Sequence, residues 1–314
     1  MNDFRLPIGD WVEAFIDVLT EALSGFFAVV RAVFLGFYDA VDFVLSTPAY
    51  WIIIPLIALL AWWVKGWKLA LGSVIGLLLI VSVGQWENAM DTLALVLVAS
   101  TIAVVISVPV GILGARNDVA SRIIRPILDF MQTMPAFVYL IPALILFRVG
   151  VVPGIVATIV FAMAPGVRLT ELGIRGVDKE VVEAGQAFGA SPGRILRQIQ
   201  LPLAMPSIMA GVNQVIMLSL SMVVIAGMVG AGGLGGEVVA ALNRINVGLG
   251  FEAGLAVVIL AIILDRITGA LADGRARPRL SLSRETGLTE ASDHMAQQKL
   301  EGNAPSRVSN VTAA

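Results

Sequence analysis

Enzyme chemistry needs nucleophiles, bases or metal ligands, and this sequence supplies few of them. It has no cysteine and one histidine, His294. Disulfides, thiolate catalysis and Cys-ligated metal sites are therefore excluded. His294 lies in a polar C-terminal stretch, which removes a Ser-His-Asp triad or a histidine metal site from any apolar core. Asp91, Asp129 and Glu252 stand singly near the ends of apolar runs. They form no carboxylate pair for acid–base work and no buried relay for ion coupling. Lysine occurs only at 65, 68, 179 and 299, never after Gly-x-x-x-x-Gly, so the chain carries no P-loop of its own. One nucleotide-like pattern, Gly230-Ala231-Gly232-Gly233-Leu234-Gly235, fits G-x-G-x-x-G. It follows an apolar helix and not a strand, and it reads as a flexible turn.

The segment with the most information is polar. Residues 180–203 read EVVEAGQAFGASPGRILRQIQLPL. Their punctuation predicts a helix–turn–helix. Glu180 to Phe188 form a short helix, and Gly189 stops it in a left-handed conformation. Ser191 caps the next helix and Pro192 suits its first position. That helix runs to about Gln200, where Leu201-Pro202 ends it. Ala184 and Gly185 make one face small, although glycine inside a helix costs about 1 kcal/mol against alanine. A closely packed surface against that face would explain it. The alternative on spacing alone is an amphipathic helix lying on a membrane.

Around this segment the chain is too apolar for a water-soluble fold. Of 314 residues, 58% are hydrophobic and 14% charged, whereas soluble domains carry roughly 25% charged residues. Mean hydropathy is +0.89. The net charge of −2 and pI near 5.5 argue against a nucleic-acid partner, which calls for a basic face. Seven apolar stretches of membrane-crossing type occur at roughly 47–64, 67–85, 89–114, 127–148, 150–168, 204–229 and 249–270. They are continuous and not alternating, which excludes an outer-membrane barrel. Of the 21 lysines and arginines, all but Arg5, Arg31, Arg148 and Arg244 fall on one side of these spans. The 169–203 loop and the C-terminus are thus expected in the cytoplasm and the N-terminus outside. In residues 10–45, Glu13, Asp17 and Glu21 oppose Phe15, Val18, Ala22 and Phe26, the pattern of an amphipathic interfacial helix. Arg31 near a bilayer centre would cost a few kcal/mol, which disfavours reading 22–45 as an eighth span. MNDFR lacks the positive charge of a secretion signal. Residues 272–314, rich in Arg, Ser, Glu and Gln, are expected to be a disordered cytoplasmic tail.

The segment Glu183-Ala184-Gly185, three residues, Gly189, nine residues, Ile199, one residue, Leu201-Pro202 resembles the EAA signature of ABC importer permeases, with Gly185 in place of the second alanine. The likeness extends over about 88–271, through MQTMPAFVYLIPALILF, PGIVATIVFAMAPGVRLTELGI and ILAIILDRITGAL, which resemble the glycine betaine/proline betaine importer permeases. Residues 1–87 resemble that family only loosely. The resemblance implies an all-α integral membrane protein of the bacterial cytoplasmic membrane with a type I importer core at 88–271. It implies a coupling loop at 176–203, two added spans at 47–87 and an outer N-terminal region at 1–46. It further implies that Glu183, Ala184, Gly185, Gly189, Ile199, Leu201 and Pro202 seat a coupling helix on a separate ATPase, which binds the ATP and Mg. A second permease copy and an extracytoplasmic binding protein complete the expected assembly, embedded in membrane lipid.

Polar side chains inside spans face a cavity or another helix. Gln132, Thr133 and Tyr139 in the fourth stretch and Asn213, Gln214 and Ser221 in the sixth are the pathway candidates, with helix–helix contacts as the alternative. Pro135 and Pro142 are expected to kink or break the fourth stretch. Asp265 and Arg266 are adjacent and read as interfacial anchors. Quaternary ammonium groups are held by aromatic cages. Fourteen of the 22 aromatics lie within residues 1–67, so high-affinity recognition is expected in the binding protein and not here. The rival readings are an ion-gradient-driven transporter of quaternary amines and an intramembrane enzyme.

Overall fold

The computed structural model describes residues 7–275, and the expected tail at 272–314 lies almost wholly outside them. Every regular element among the described residues is helical. The chain begins with α1 (Ile8–Ala22) and α2 (Ser24–Ser46), then α3 (Tyr50–Lys65), α4 (Trp67–Ser82) and α5 (Trp86–Arg116). There follow α6 (Asp118–Thr133), α7 (Ala136–Phe147), α8 (Val151–Arg175), α9 (Lys179–Ala187) and α10 (Pro192–Ile195). A π turn (Leu196–Gln200) leads into α11 (Leu201–Ser221), and α12 (Val223–Gly227), α13 (Gly233–Arg244) and α14 (Val247–Arg275) complete the fold.

Four helical segments, 86–116, 151–175, 192–227 and 247–271, are long and apolar enough to cross a membrane. The pairs α1–α2 and α6–α7 pass the same test only as bent units, turned by 79° and 99°. At 16 residues each, α3 and α4 measure about 24 Å, short of a hydrocarbon core of about 30 Å. The fourth apolar stretch is therefore not one span from 127 to 148. Met134 is extended (ψ 135°), the conformation favoured before a proline, and Pro135 turns the chain. Pro142 stays inside α7. Residues 10–45 are likewise two helices. α2 packs Phe34, Tyr38, Val41 and Leu45, spaced at helical intervals, against Ala94, Leu95 and Val98 of α5.

The centre of the fold is the trio α5, α8 and α11, which pack against each other along their length. Lipid-exposed helices gain no hydrophobic free energy from meeting, so close van der Waals contact must hold them, and small residues permit it. Ser107, Gly111 and Gly114 recur along α5 at intervals of four and three residues, on one face of the helix. A Cβ on Gly111 would lie 2.6 Å from Thr170 Cβ and 2.7 Å from the Val167 carbonyl of α8. One on Gly166 would lie 2.5 Å from Ser107 Oγ, and one on Gly173 would lie 2.7 Å from Ser207 Cβ of α11. The glycine-rich run 230–235 has the same kind of explanation. Gly230, Gly232 and Gly233 have φ of 83°, 73° and 60°, and the backbone of Gly235 presses on Val223. This is a tight turn followed by a helix-to-helix backbone contact, with no strand before it.

Candidate functional site

The 176–203 loop is an elbow projecting from the end of α8. Asp178 starts α9 by accepting from the Glu180 N–H at 2.9 Å. α9 ends in a left-handed glycine, Gly189 at φ 76°. Its last carbonyls are met by the Gly189 N–H on Gln186 O at 2.8 Å and the Ala190 N–H on Gly185 O at 3.1 Å. Ser191 stands at the next N-cap, but its side chain makes no capping bond. Its carbonyl accepts from the Arg194 and Ile195 N–H groups instead.

The chain does not stop at Leu201-Pro202, contrary to the sequence expectation. The π turn carries it straight into α11, with the Leu201 N–H bonding Leu196 O, five residues back. The wider turn accommodates a proline that has no N–H to give and whose ring crowds the carbonyl four residues earlier. The result is one helical segment from Pro192 to Gly227.

The signature residues divide by what they touch. Gly185 faces inward: a Cβ there would meet Ile199 Cδ1 at 2.6 Å and Ile195 Cγ1 at 3.6 Å. The surface packed against the small face is thus the loop's own second arm. Leu201 is half-buried, packed on the cluster of Ile174, Leu196, Ala204 and Ile208. Glu183, Ala184, Gly189 and Pro202 are exposed. Glu183 lines a polar cleft of about 260 Å³ with Lys179, Gln186 and Gln200. Beside Gly189, Phe188 is 92% exposed, an aromatic ring at the tip of the elbow with nothing covering it.

Behind the elbow lies a polar cluster that sequence reasoning missed. Glu171 is 4% exposed near the end of α8. It accepts from Ser121 Oγ at 2.7 Å and from Arg125 at 2.9 Å, both on α6, and pairs with Arg175 at 3.1 Å. Arg175 also donates to the Gly114 carbonyl at 2.8 Å and pairs with Asp118 at 2.7 Å. The absent side chain of Gly114 admits the carboxylate, since a Cβ there would lie 3.0 Å from Glu171 Oε2. This cluster joins the ends of α5, α6 and α8 one turn before the elbow. A second pair, Arg168 with Asp129, ties α8 to α6 again. The sequence signal was the Glu171–Arg175 spacing of four at the end of an apolar run.

The pathway candidates are not brought together. Gln132 and Thr133 are exposed at the α6–α7 bend, where Thr133 donates back to Phe130 O at 3.0 Å. The Tyr139 hydroxyl donates to the Met131 carbonyl across the same bend. Asn213 bridges α11 to α14: its amide donates to Asp265 at 3.2 Å, and its carbonyl accepts from Thr268 at 2.5 Å. Asp265 is therefore a partner of Asn213 and not simply an interfacial anchor. Gln214 and Ser221 are exposed on α11, the serine donating to Met217 O at 3.1 Å.

A family profile described as "Binding-protein-dependent transport system inner membrane component" matches residues 107–277, which include the elbow, the polar cluster and the α5–α8–α11 trio from Ser107 onward. The chain belongs to this family. It is a multi-pass membrane transport subunit, and among its relatives is the glycine betaine/carnitine transport permease protein GbuB of Listeria monocytogenes. The two are 49% identical over 269 residues, covering 84% of this chain and 95% of that one. The glycine betaine/proline betaine permease ProW of Escherichia coli is 47% identical, covering 87% of this chain and 77% of ProW. Among solved structures, an inward-facing form of the MetNI methionine ABC transporter aligns with a TM-score of 0.57 at 23% identity, over 62% of this chain and 96% of that one. That likeness establishes the type I importer permease fold.

Proposed function

We propose that the chain is the membrane-spanning subunit of an ATP-driven importer for betaine-type compatible solutes, among them glycine betaine and proline betaine. The observation that carries the reading is the 47–49% identity to betaine permeases along most of their length. The elbow fits the role of coupling element. It offers an exposed ring at Phe188, a left-handed knuckle at Gly189 and an internal contact, Gly185 on Ile199, that makes it rigid. A separate ATPase, holding ATP and Mg, would receive this tip. Its closure would push two such elbows together and turn the permease from inward-open to outward-open. A binding protein would deliver solute on the outer side, and Gln214 and Ser221 on the open face of α11 would line the passage between two copies of the chain. The elbow and the C-terminus face the cytoplasm in this reading, with the N-terminus outside. Polar side chains exposed on a spanning helix need water or a protein partner, which supports the pairing of two copies.

The test is purification from the native membrane in mild detergent. An ATPase chain with a P-loop should come with the permease in one-to-one ratio. Gly189→Asp should lose that chain and ATP-dependent betaine uptake, while membrane insertion is unchanged. Uptake that persists without ATP and collapses with the ion gradient would overturn the reading in favour of a secondary transporter.

A further inference from the structure

Away from the elbow, a cavity of about 720 Å³ opens between the α3–α4 hairpin and the pair α5 and α14. Its walls include Leu56, Leu60 and Trp63 of α3, Leu97 of α5, and Leu264 and Ile267 of α14. Its size falls within the roughly 300–1,000 Å³ of ligand pockets. Apart from Thr268, whose hydroxyl is already bonded to Asn213 and the Leu264 carbonyl, the walls are leucine, isoleucine and tryptophan, a lining suited to an acyl chain and not to a polar solute. It opens sideways, since Leu56 and Trp63 are 59% and 80% exposed. In a membrane protein that side is lipid.

The end of the hairpin says which lipid. Trp63 sits two residues before Lys65, and α3 and α4 are joined through Gly66 at φ 96°. Lys65 and Lys68 flank that turn and are both exposed. No Asp or Glu occurs anywhere from Tyr50 to Ser82, and neither lysine pairs with an acid among the described residues. Trp62, Trp63 and Trp67 surround them, the residue type that settles at the headgroup layer. The hairpin is also some 6 Å shorter than the hydrocarbon core, a mismatch that the bilayer must otherwise absorb.

We infer that this groove is a binding site for an anionic phospholipid, one acyl chain lying along α3 against α14 and the headgroup phosphate held by Lys65 and Lys68. Two lysines without acidic partners favour a negative headgroup over a zwitterionic one by on the order of tenfold. The acyl chain completes the contact between hairpin and core that the short helices leave open.

The test uses the full chain in phosphatidylcholine vesicles, with tryptophan fluorescence quenched by lipids brominated on their acyl chains. Subtracting a Trp63→Phe variant isolates the Trp63 signal. Brominated phosphatidylglycerol at a low fraction should quench Trp63 several-fold more than brominated phosphatidylcholine at the same fraction. The variant K65Q/K68Q should erase that difference while keeping the overall tryptophan spectrum, which reports that the hairpin still inserts. Leu60→Phe, which fills the groove, should reduce Trp63 quenching by both lipids. Equal quenching by the two lipids in the unmodified chain would overturn the headgroup assignment. Absence of quenching by either would show that protein, such as a second copy, covers the groove and would overturn the site.

Discussion

Replacing Gly235 by alanine adds a single methyl group where α12 and α13 touch backbone to backbone. The new Cβ would lie 2.1 Å from the Val223 carbonyl oxygen and 2.8 Å from its carbonyl carbon. Ordinary contact is about 3.5–4.0 Å, so one helix must retreat by more than an ångström. No rotamer relieves a clash with main chain. Overpacking of this kind costs about 1–3 kcal/mol, and the upper end applies because the neighbour cannot rotate away. Alanine's helix preference returns about 1 kcal/mol, leaving a net loss of about 2 kcal/mol, roughly a thirtyfold change in the folded-to-unfolded ratio. Gly36 of α2 is the control: nothing lies within 4 Å of its Cβ position, so Gly36→Ala should be neutral or slightly stabilising. Thermal unfolding in detergent, followed by loss of monodisperse protein, measures both. A Gly235→Ala protein as stable as its parent would refute the claim that direct backbone contact fixes α13 against α12.

The other predictions are smaller. Gly185→Ala should be tolerated in both folding and transport, because the atom it meets is the free end of Ile199, which can rotate; loss of ATPase co-purification would count against this account of the elbow. Glu171→Gln should lower stability by about 2 kcal/mol: hydrogen bonds to charge are worth about 1.5–3 kcal/mol, but the Arg125 side chain is 61% exposed and its share is screened by water. An unchanged unfolding temperature would mean that the cluster holds nothing together. Ile245→Gly should raise stability by about 1 kcal/mol, since a β-branched residue is held there at φ 52°; a drop would show that the exposed side chain is used. Because the chain has no native cysteine, Phe188→Cys should react with a membrane-impermeant thiol reagent only from the cytoplasmic side, and labelling from outside would invert the proposed orientation.

Apolar runs placed α5, α8, α11 and α14 well, because burial in lipid leaves a long uniform signal. Direction does not leave one. Residues 127–148 are apolar enough to pass as a span, yet the chain turns by 99° within them. Of the two prolines there, only Pro135 turns it. Pro142 sits in α7 although it also lacks a donor, and local sequence does not distinguish them. The knuckle at Gly189 was legible because a left-handed stop has few residue choices. The role of Gly185 was half legible: its smallness called for a close neighbour, but spacing could not show that the neighbour was Ile199. The i,i+4 pair Glu171–Arg175 left a signal, but the burial of Glu171 did not, because its other two partners lie 46 and 50 residues away on α6. For Asn213 the sequence leaves a passage and a helix–helix contact both open, because its partners Asp265 and Thr268 are more than 50 residues distant.

The near-continuous helical run from Pro192 to Gly227 has a mechanical meaning. Its 36 residues make a rod of about 54 Å, with its foot in the elbow and its head against the glycine contact of α13. In the proposed coupling, a tilt imposed at the foot would reappear at the head as a sideways stroke, with the contact on α8 as the pivot. The π turn lies near the foot, and a second change of winding falls at Met222, between α11 and α12, so in the proposed coupling the first would set the angle at which a thrust enters the shaft. Lengthening or shortening the chain there by one residue would rotate everything beyond it by about 100° and turn the open face of α11 away from its present direction.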